Sequence, residues 1–195
     1  MKLILSYLIS WFYQATFTFR RPRFNQGNPI TTWCEPYDDM HGREINTRRS
    51  QQWLYGRFSF SIRPDHILPG RGNICPWLLQ LDMDKVQEID VVEFMKGRMY
   101  FSIYHNEGSS SYFDQLGRPV YKRFQTRLSM PMKWIKTSRI YTVEWTPGRV
   151  KWYIDGVPVA VSWVYVPVQP MYAVVTGLER GKFYGGEYSC NAQYI

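Results

Sequence analysis

Cysteine is scarce. Cys34, Cys75 and Cys190 are the only three in 195 residues, they lie far apart, and one is left over even if two pair. This excludes a Cys-x-x-Cys metal or redox site and leaves disulfide pairing and compartment open. No apolar run is long enough to span a bilayer, so no membrane segment is expected. Acids are outnumbered, 16 Asp and Glu against 24 Lys and Arg, for a formal net charge of +8. Yet the cations fall in separate short clusters, Arg20-Arg21, Arg48-Arg49, Lys122-Arg123 and Lys133/Lys136/Arg139, with no zinc-finger spacing or aromatic RNA-binding signature. They read as a solvated basic surface, not a nucleic-acid site. Internal repeats, low-complexity tracts and a sustained helical apolar stripe are also absent.

What remains is a chain of short alternating runs punctuated by Gly, Pro, Asn and Asp, which reads as all-β. From Leu54 to Arg63, Leu54, Phe58, Phe60 and Ile62 share one face, with Tyr55, Arg57, Ser59, Ser61 and Arg63 on the other. Further strands are expected at residues 86–95, 99–105, 140–146, 150–154, 157–163 and 171–178, a number that suits a sandwich. Asp155-Gly156 between two of them predicts a two-residue hairpin, because glycine accepts the positive φ such a turn needs. Regions 25–52, 64–76, 106–138 and 179–190 carry the turn formers and are expected as loops rimming the sheet. The length suits one domain over residues 1–195. Aromatics make up 17% of it, with 8 Trp and 15 Tyr, more than a core of this size absorbs, so some are expected in a groove.

Residues 1–20 have two readings. Lys2 followed by Leu3 to Ile9 resembles a signal segment, without a clean small-x-small cleavage site. The other reading is a first strand, which Phe12, Gln14, Thr16 and Thr18 alternating with Tyr13, Ala15, Phe17 and Phe19 favour. A secreted or extracellular monomer is expected.

The most informative run is Glu88-Ile89-Asp90-Val91-Val92-Glu93, three carboxylates in one short apolar segment. Burying unpaired charge is costly, so such a cluster points to chemistry. Strict alternation would put Glu88 and Asp90 on one face and send Glu93 into the core with the aliphatics. One extra residue at Val91-Val92, a β-bulge, returns Glu93 to the face of the other two acids.

In its bulged ExDxxE form this run resembles the active-site motif of the family 16 glycoside hydrolases, a form carried by laminarinases, agarases and κ-carrageenases. The context agrees in order: Tyr55-Gly56-Arg57-Phe58 and Pro76-Trp77-Leu78-Leu79 upstream, then His105, Tyr141 to Pro147, Trp152 to Gly156, and Gln169-Pro170-Met171. Together these cover residues 53 to 178. Ser59, Asn73-Ile74 and Ala192 depart from the family pattern. The resemblance implies an antiparallel β-jelly-roll sandwich, concanavalin-like, with a concave substrate cleft. It implies a retaining endo-glycosidase of β-linked polysaccharide, with β-1,3-glucan or mixed-linkage β-glucan preferred. A sulfated or neutral galactan, or a non-catalytic carbohydrate-binding jelly roll, is the alternative.

By that resemblance Glu88 is the nucleophile, Glu93 the general acid/base, and Asp90 the group that hydrogen-bonds the nucleophile and raises the proton affinity of its neighbours. The competing reading is an acidic exposed strand paired with Arg57 or Lys96. His105, Trp77, Trp33 and Arg57 are the candidate substrate contacts. Each has an alternative: for His105 the apolar face of Met99, Phe101 and Ile103, for Trp77 the core, for Trp33 a loop anchor. Trp145 and Trp152 read as packing, and Asp82 and Asp84 as a solvated turn. No metal and no cofactor are expected.

Overall fold

The computed structural model describes residues 1–17, 35–39, 42–46, 52–63, 75–82, 85–106, 108, 111–129, 134, 137–176 and 182–189. Among the described residues one helix, α1 (Lys2–Phe17), precedes twelve strands. These are β1 (Glu35–Asp39), β2 (Gly42–Asn46), β3 (Gly56–Arg63), β4 (Cys75–Asp82), β5 (Lys85–Met95) and β6 (Arg98–Asn106), then β7 (Lys122–Ser129), β8 (Arg139–Thr146), β9 (Arg149–Ile154), β10 (Val157–Ser162), β11 (Tyr172–Thr176) and β12 (Lys182–Ser189). They form a seven-stranded sheet, β1-β2-β11-β4-β5-β6-β7, and a five-stranded sheet, β10-β9-β8-β3-β12. Every strand pairing is antiparallel. The architecture is the two-sheet jelly-roll sandwich expected from the sequence.

Alternation fixes which residues fill the gap between the sheets. Phe58, Phe60 and Ile62 of β3 meet Tyr141, Val143 and Trp145 of β8 and Val150, Trp152 and Ile154 of β9 from one side. Leu78, Ile89, Val91, Val92, Phe94, Phe101 and Ile103 meet them from the other. Trp145 and Trp152 are fully buried, and truncating a tryptophan of this kind to alanine costs about 3–5 kcal/mol.

Two tight hairpins set the register of the strands that matter here. Asp155 (φ 49°) and Gly156 (φ 78°) join β9 to β10, as Asp155-Gly156 predicts. Lys96 (φ 50°) and Gly97 (φ 72°) join β5 to β6 in the same way, so Met95 faces Arg98. Positive φ at both central residues matches the right-handed twist of the flanking strands.

Residues 2–17 are helical, which corrects the expected first strand. The physical reason lies in Ser6, Ser10 and Gln14, spaced i, i+4, i+8 and therefore on one helical face. Ser6 Oγ accepts from the Trp163 amide (3.2 Å), and Ser10 Oγ donates to the Val161 carbonyl (3.1 Å) while accepting from the Val161 amide (3.0 Å). Gln14 donates to Thr126 Oγ1 on β7 (3.0 Å). The helix thus satisfies backbone groups along β10, an edge strand that would otherwise offer them to another chain. Strands β1, β2, β7 and β12 fall in regions expected as loops.

Candidate active site

β5 lies between β4 and β6 in the seven-stranded sheet. On one side of the irregularity Asp90 faces Ser102, and on the other Glu93 faces Tyr100, so Val91 and Val92 together oppose Phe101 alone. This is the bulge that the carboxylate spacing requires. Both valines are buried in the core, while Glu88, Asp90 and Glu93 share the face turned away from the five-stranded sheet. Breaking the ladder here leaves a backbone carbonyl in need of a donor. Trp152 reaches across from β9, its indole N–H donating to the Asp90 carbonyl at 2.8 Å.

The acids are not a solvated strand. Glu88 is 8% exposed and Asp90 3% exposed. Burial pushes Glu88 upward, opposed by hydrogen bonds from Asp90 and Tyr112. Burial, the Glu88 charge and the hydrogen bond to Glu88 hold Asp90 well above the usual carboxylate range, with Ser102 acting against them. Burial and then the Asp90 charge raise Glu93 to about 7, with Arg123 acting in the opposite direction. Burial and like charge thus oppose ionising the pair together, and the hydrogen bond between them favours the proton on Asp90 and the charge on Glu88.

The network continues sideways across the sheet. Gln125 on β7 donates to Ser102 Oγ (3.1 Å) and Tyr104 Oη (3.3 Å), and Ser102 in turn bonds Asp90. On the far side the Tyr112 hydroxyl donates to Glu88 Oε2. The acid triad is therefore held by groups from β6, β7 and the segment between them.

Of the candidate substrate contacts, Trp77 faces Asp90 directly across the β4–β5 pair. It is partly buried and packs with Tyr112 against Leu79, Val86, Tyr172 and Val174. It belongs to the acid face rather than to the core between the sheets. His105 does not: it pairs with Gln87 and Lys122, in register with Ile103 and Ile89 and so on the opposite face from Glu88. Arg57 is also misplaced by the sequence reading. It lies on β3 in the other sheet, 3.5 Å from Glu144, with its guanidinium over the Tyr153 ring. Pairing of the acids with Arg57 or Lys96 fails for the same reason, since Arg57 is on the other sheet and Lys96 sits in the hairpin turn. Trp33, Cys34, Asp84 and Cys190 lie outside the described residues, and Cys75 carries a free thiol.

Tyr112, Ser102, Gln125 and the carbonyl-binding role of Trp152 were not singled out from sequence. Ser102 was within reach: the Lys96-Gly97 turn fixes Met95 opposite Arg98, and the bulge then carries Asp90 to Ser102. Tyr112 carries no such signal, because it comes from a connecting segment.

Known structures share this architecture. A κ-carrageenase from Zobellia galactanivorans aligns with TM-score 0.50 and 21% identity over 68% of this chain and 53% of its own. A Bacteroides ovatus mixed-linkage glucan GH16 protein in complex with a G4G4G3G product gives TM-score 0.55 and 13% identity over 74% and 62%. The laminarinase from Rhodothermus marinus gives 0.51 and 20% over 74% and 60%. This chain thus spans less than two thirds of the length of each. No curated protein matches it significantly in sequence. The model of the glycosyl hydrolases family 16 matches residues 13–184, and with the bulged acid strand on the outer face of a two-sheet sandwich, this chain belongs to that family.

Proposed function

We propose that the protein is an endo-acting retaining glycosidase of a β-linked polysaccharide. The observation that carries this is the bulge at Val91-Val92, which sets Glu93, raised to about 7, beside Glu88 and Asp90 on one sheet face. A carboxyl in that range is a proton donor near neutrality, while Glu88, relieved by two hydrogen bonds, is the better candidate for ionisation.

In the first step Glu88 attacks the anomeric carbon as Glu93 gives its proton to the departing glycosidic oxygen. The product is a glycosyl ester on Glu88 and a free sugar hydroxyl. In the second step Glu93, now a carboxylate, takes a proton from water, whose oxygen displaces Glu88 with net retention. Asp90 holds its proton toward Glu88 throughout.

The preferred substrate is a β-1,3-glucan or mixed-linkage β-glucan. Aromatic side chains on the acid face, Trp77, Tyr100, Tyr104, Tyr112 and Tyr172, suit the apolar faces of neutral sugar rings. A second reading, a sulfated galactan, draws on Arg123 and Arg127. These face Tyr104 and Tyr100 across the β6–β7 pair and add positive charge to the same side of the sheet.

A panel of laminarin, mixed-linkage β-glucan, agar and κ-carrageenan tests both readings, with wild type and Glu88→Gln run in parallel. Oligosaccharide release from one polymer by wild type alone is the expected result. Retention of the polymer without release by either protein would replace the enzyme with a carbohydrate-binding module.

A further inference from the structure

The nucleophile candidate is held from outside its own sheet pairings. Tyr112 belongs to a short excursion between β6 and β7 that is folded on itself. Phe113 bridges Pro119, Val120 N–H donates to the Tyr112 carbonyl (3.0 Å), and Asp114 pairs with Arg118 (2.7 Å). Asn106 at the end of β6 donates to the Ser111 carbonyl (2.7 Å), tying the start of the excursion to the sheet. The Tyr112 ring stands edge-on to Tyr104 (6.0 Å) and Tyr121 (5.9 Å) and packs on the Leu79, Val86, Tyr172 and Val174 cluster. With the ring fixed on these sides, its hydroxyl ends on Glu88 Oε2.

Resting on the glycosidase reading above, we propose that Tyr112 is a positioning residue for the nucleophile. Its hydroxyl holds one oxygen of Glu88, orients the carboxylate and favours its charged form. Asp90 and Glu93 on β5 and Tyr112 act on Glu88; the Glu88 charge in turn reaches Cys75 on β4 and Tyr104 on β6, and Arg123 on β7 acts on Glu93. Among the described residues, the donors to Glu88 are Asp90 and Tyr112. Burial and the Glu88 charge push the Tyr112 phenol far upward, so it remains a donor across the working range.

Tyr112→Phe keeps the ring and its packing and removes the donor. The acid limb of the kcat/KM profile is expected to move up by roughly one pH unit, the worth of a charge-assisted hydrogen bond. The alkaline limb near 7, set by Glu93, stays in place. Tyr121→Phe, which strips the hydroxyl from the neighbouring ring, moves neither limb. Carboxyl ¹³C NMR titration of Glu88 is expected to show the same upward displacement in Tyr112→Phe, and this readout does not depend on turnover. A Glu88 titration unchanged by Tyr112→Phe, or displaced as far by Tyr121→Phe, overturns the proposal. A displaced titration in a protein whose wild type releases no sugar supports the Tyr112–Glu88 bond and sinks the glycosidase reading instead.

Discussion

Glu88 on β5 and Glu144 on β8 are both glutamates on an inner strand of a sheet, pointing away from the sandwich interior, and their surroundings differ in sign. Glu144 meets Arg149 at 2.6 Å, Arg57 at 3.5 Å and the Tyr153 hydroxyl at 3.3 Å. Glu88 meets two more carboxyl groups and a phenol. The same contrast separates Asp90 from Asp155. Asp155 is 4% exposed but accepts from the Arg139 guanidinium (2.5 Å) and the Ile140 amide (2.9 Å), and Arg139 itself lies over the Trp134 ring. Glu144 and Asp155, on β8 and at the end of β9, are neutralised and serve the fold. Glu88, Asp90 and Glu93 on β5 are crowded together without a close cation among the described residues, which costs stability and yields proton affinities suited to acid–base work.

The sharpest way to break this comparison is to neutralise one acid on each sheet. Glu88→Gln and Glu93→Gln should each lower turnover by on the order of 10³-fold, while Glu144→Gln leaves it unchanged. Thermal melts should move in opposite directions. At neutral pH, Glu88→Gln raises the midpoint, because a neutral isostere replaces a buried carboxyl whose ionisation the fold opposes. Glu144→Gln lowers it, by no more than about 1 kcal/mol, as its partners are partly exposed. A large activity loss in Glu144→Gln would erase the division of labour between the sheets.

Next in size is Arg139→Ala. It leaves Asp155 buried without its cation, at a cost of about 3–5 kcal/mol. Denaturant unfolding measures the loss, and activity below the melting range should persist, because Arg139 lies on the other sheet from the acids.

Proton linkage sharpens the contrast further. A carboxyl whose folded pKa is raised binds its proton more tightly in the native state. Its stabilisation is fully present below the unfolded value and is lost as pH rises through the folded one. For Glu93 that window runs from the ordinary 4.5 to about 7, and the upward shifts of Glu88 and Asp90 act in the same direction. Melting temperature is therefore expected to fall between pH 5 and pH 8, with the slope reduced in Glu93→Gln. In kcat/KM the same Glu93 gives a decline as pH rises through about 7, since the donor proton is lost. A melting temperature that climbs over this interval would contradict the buried like-charge cluster.

How much of this was legible in the chain depended on whether a residue's place follows from local spacing. The bulge was, because a glutamate five residues after Glu88 conflicts with strict alternation unless one residue is added. The β3 and β9 strands were, because their faces alternate cleanly. His105 was left open between the acid face and the apolar face of Met99, Phe101 and Ile103, although the Lys96-Gly97 turn contains the answer: carried back through the bulge, its register sets His105 against Gln87 rather than Glu88. Arg57 depended on which sheet β3 joins, which no local pattern encodes. β7 was hidden because Phe124 and Leu128 are the only large apolar residues on its inward side, with Thr126 between them. α1 was hidden because the face it docks carries Ser6, Ser10 and Gln14, polar groups that bond β7 and the β10 edge, beside the few apolar contacts of Leu3 and Tyr7.

The smallest expected effect compares two tryptophans rather than two acids. Trp145 and Trp152 are both fully buried, and each indole donates one hydrogen bond to a backbone carbonyl, Trp145 to Pro167 at 3.0 Å and Trp152 to Asp90 at 2.8 Å. Changing either to phenylalanine removes that donor and strands a carbonyl, so both variants should lose stability by about 1–3 kcal/mol. Their effects on turnover should differ. The Pro167 carbonyl is remote from the acids along the chain, whereas the Asp90 carbonyl is the backbone group at which the β5 ladder breaks, and its anchor sets where Glu93 re-emerges on the outer face. Trp152→Phe is therefore expected to lower kcat severalfold at a temperature where it is fully folded, with KM nearly unchanged, and Trp145→Phe to leave kcat alone. Equal kcat in the two variants would mean that the buried valines alone hold the bulge, and that the five-stranded sheet contributes packing but no alignment to the chemistry on its partner.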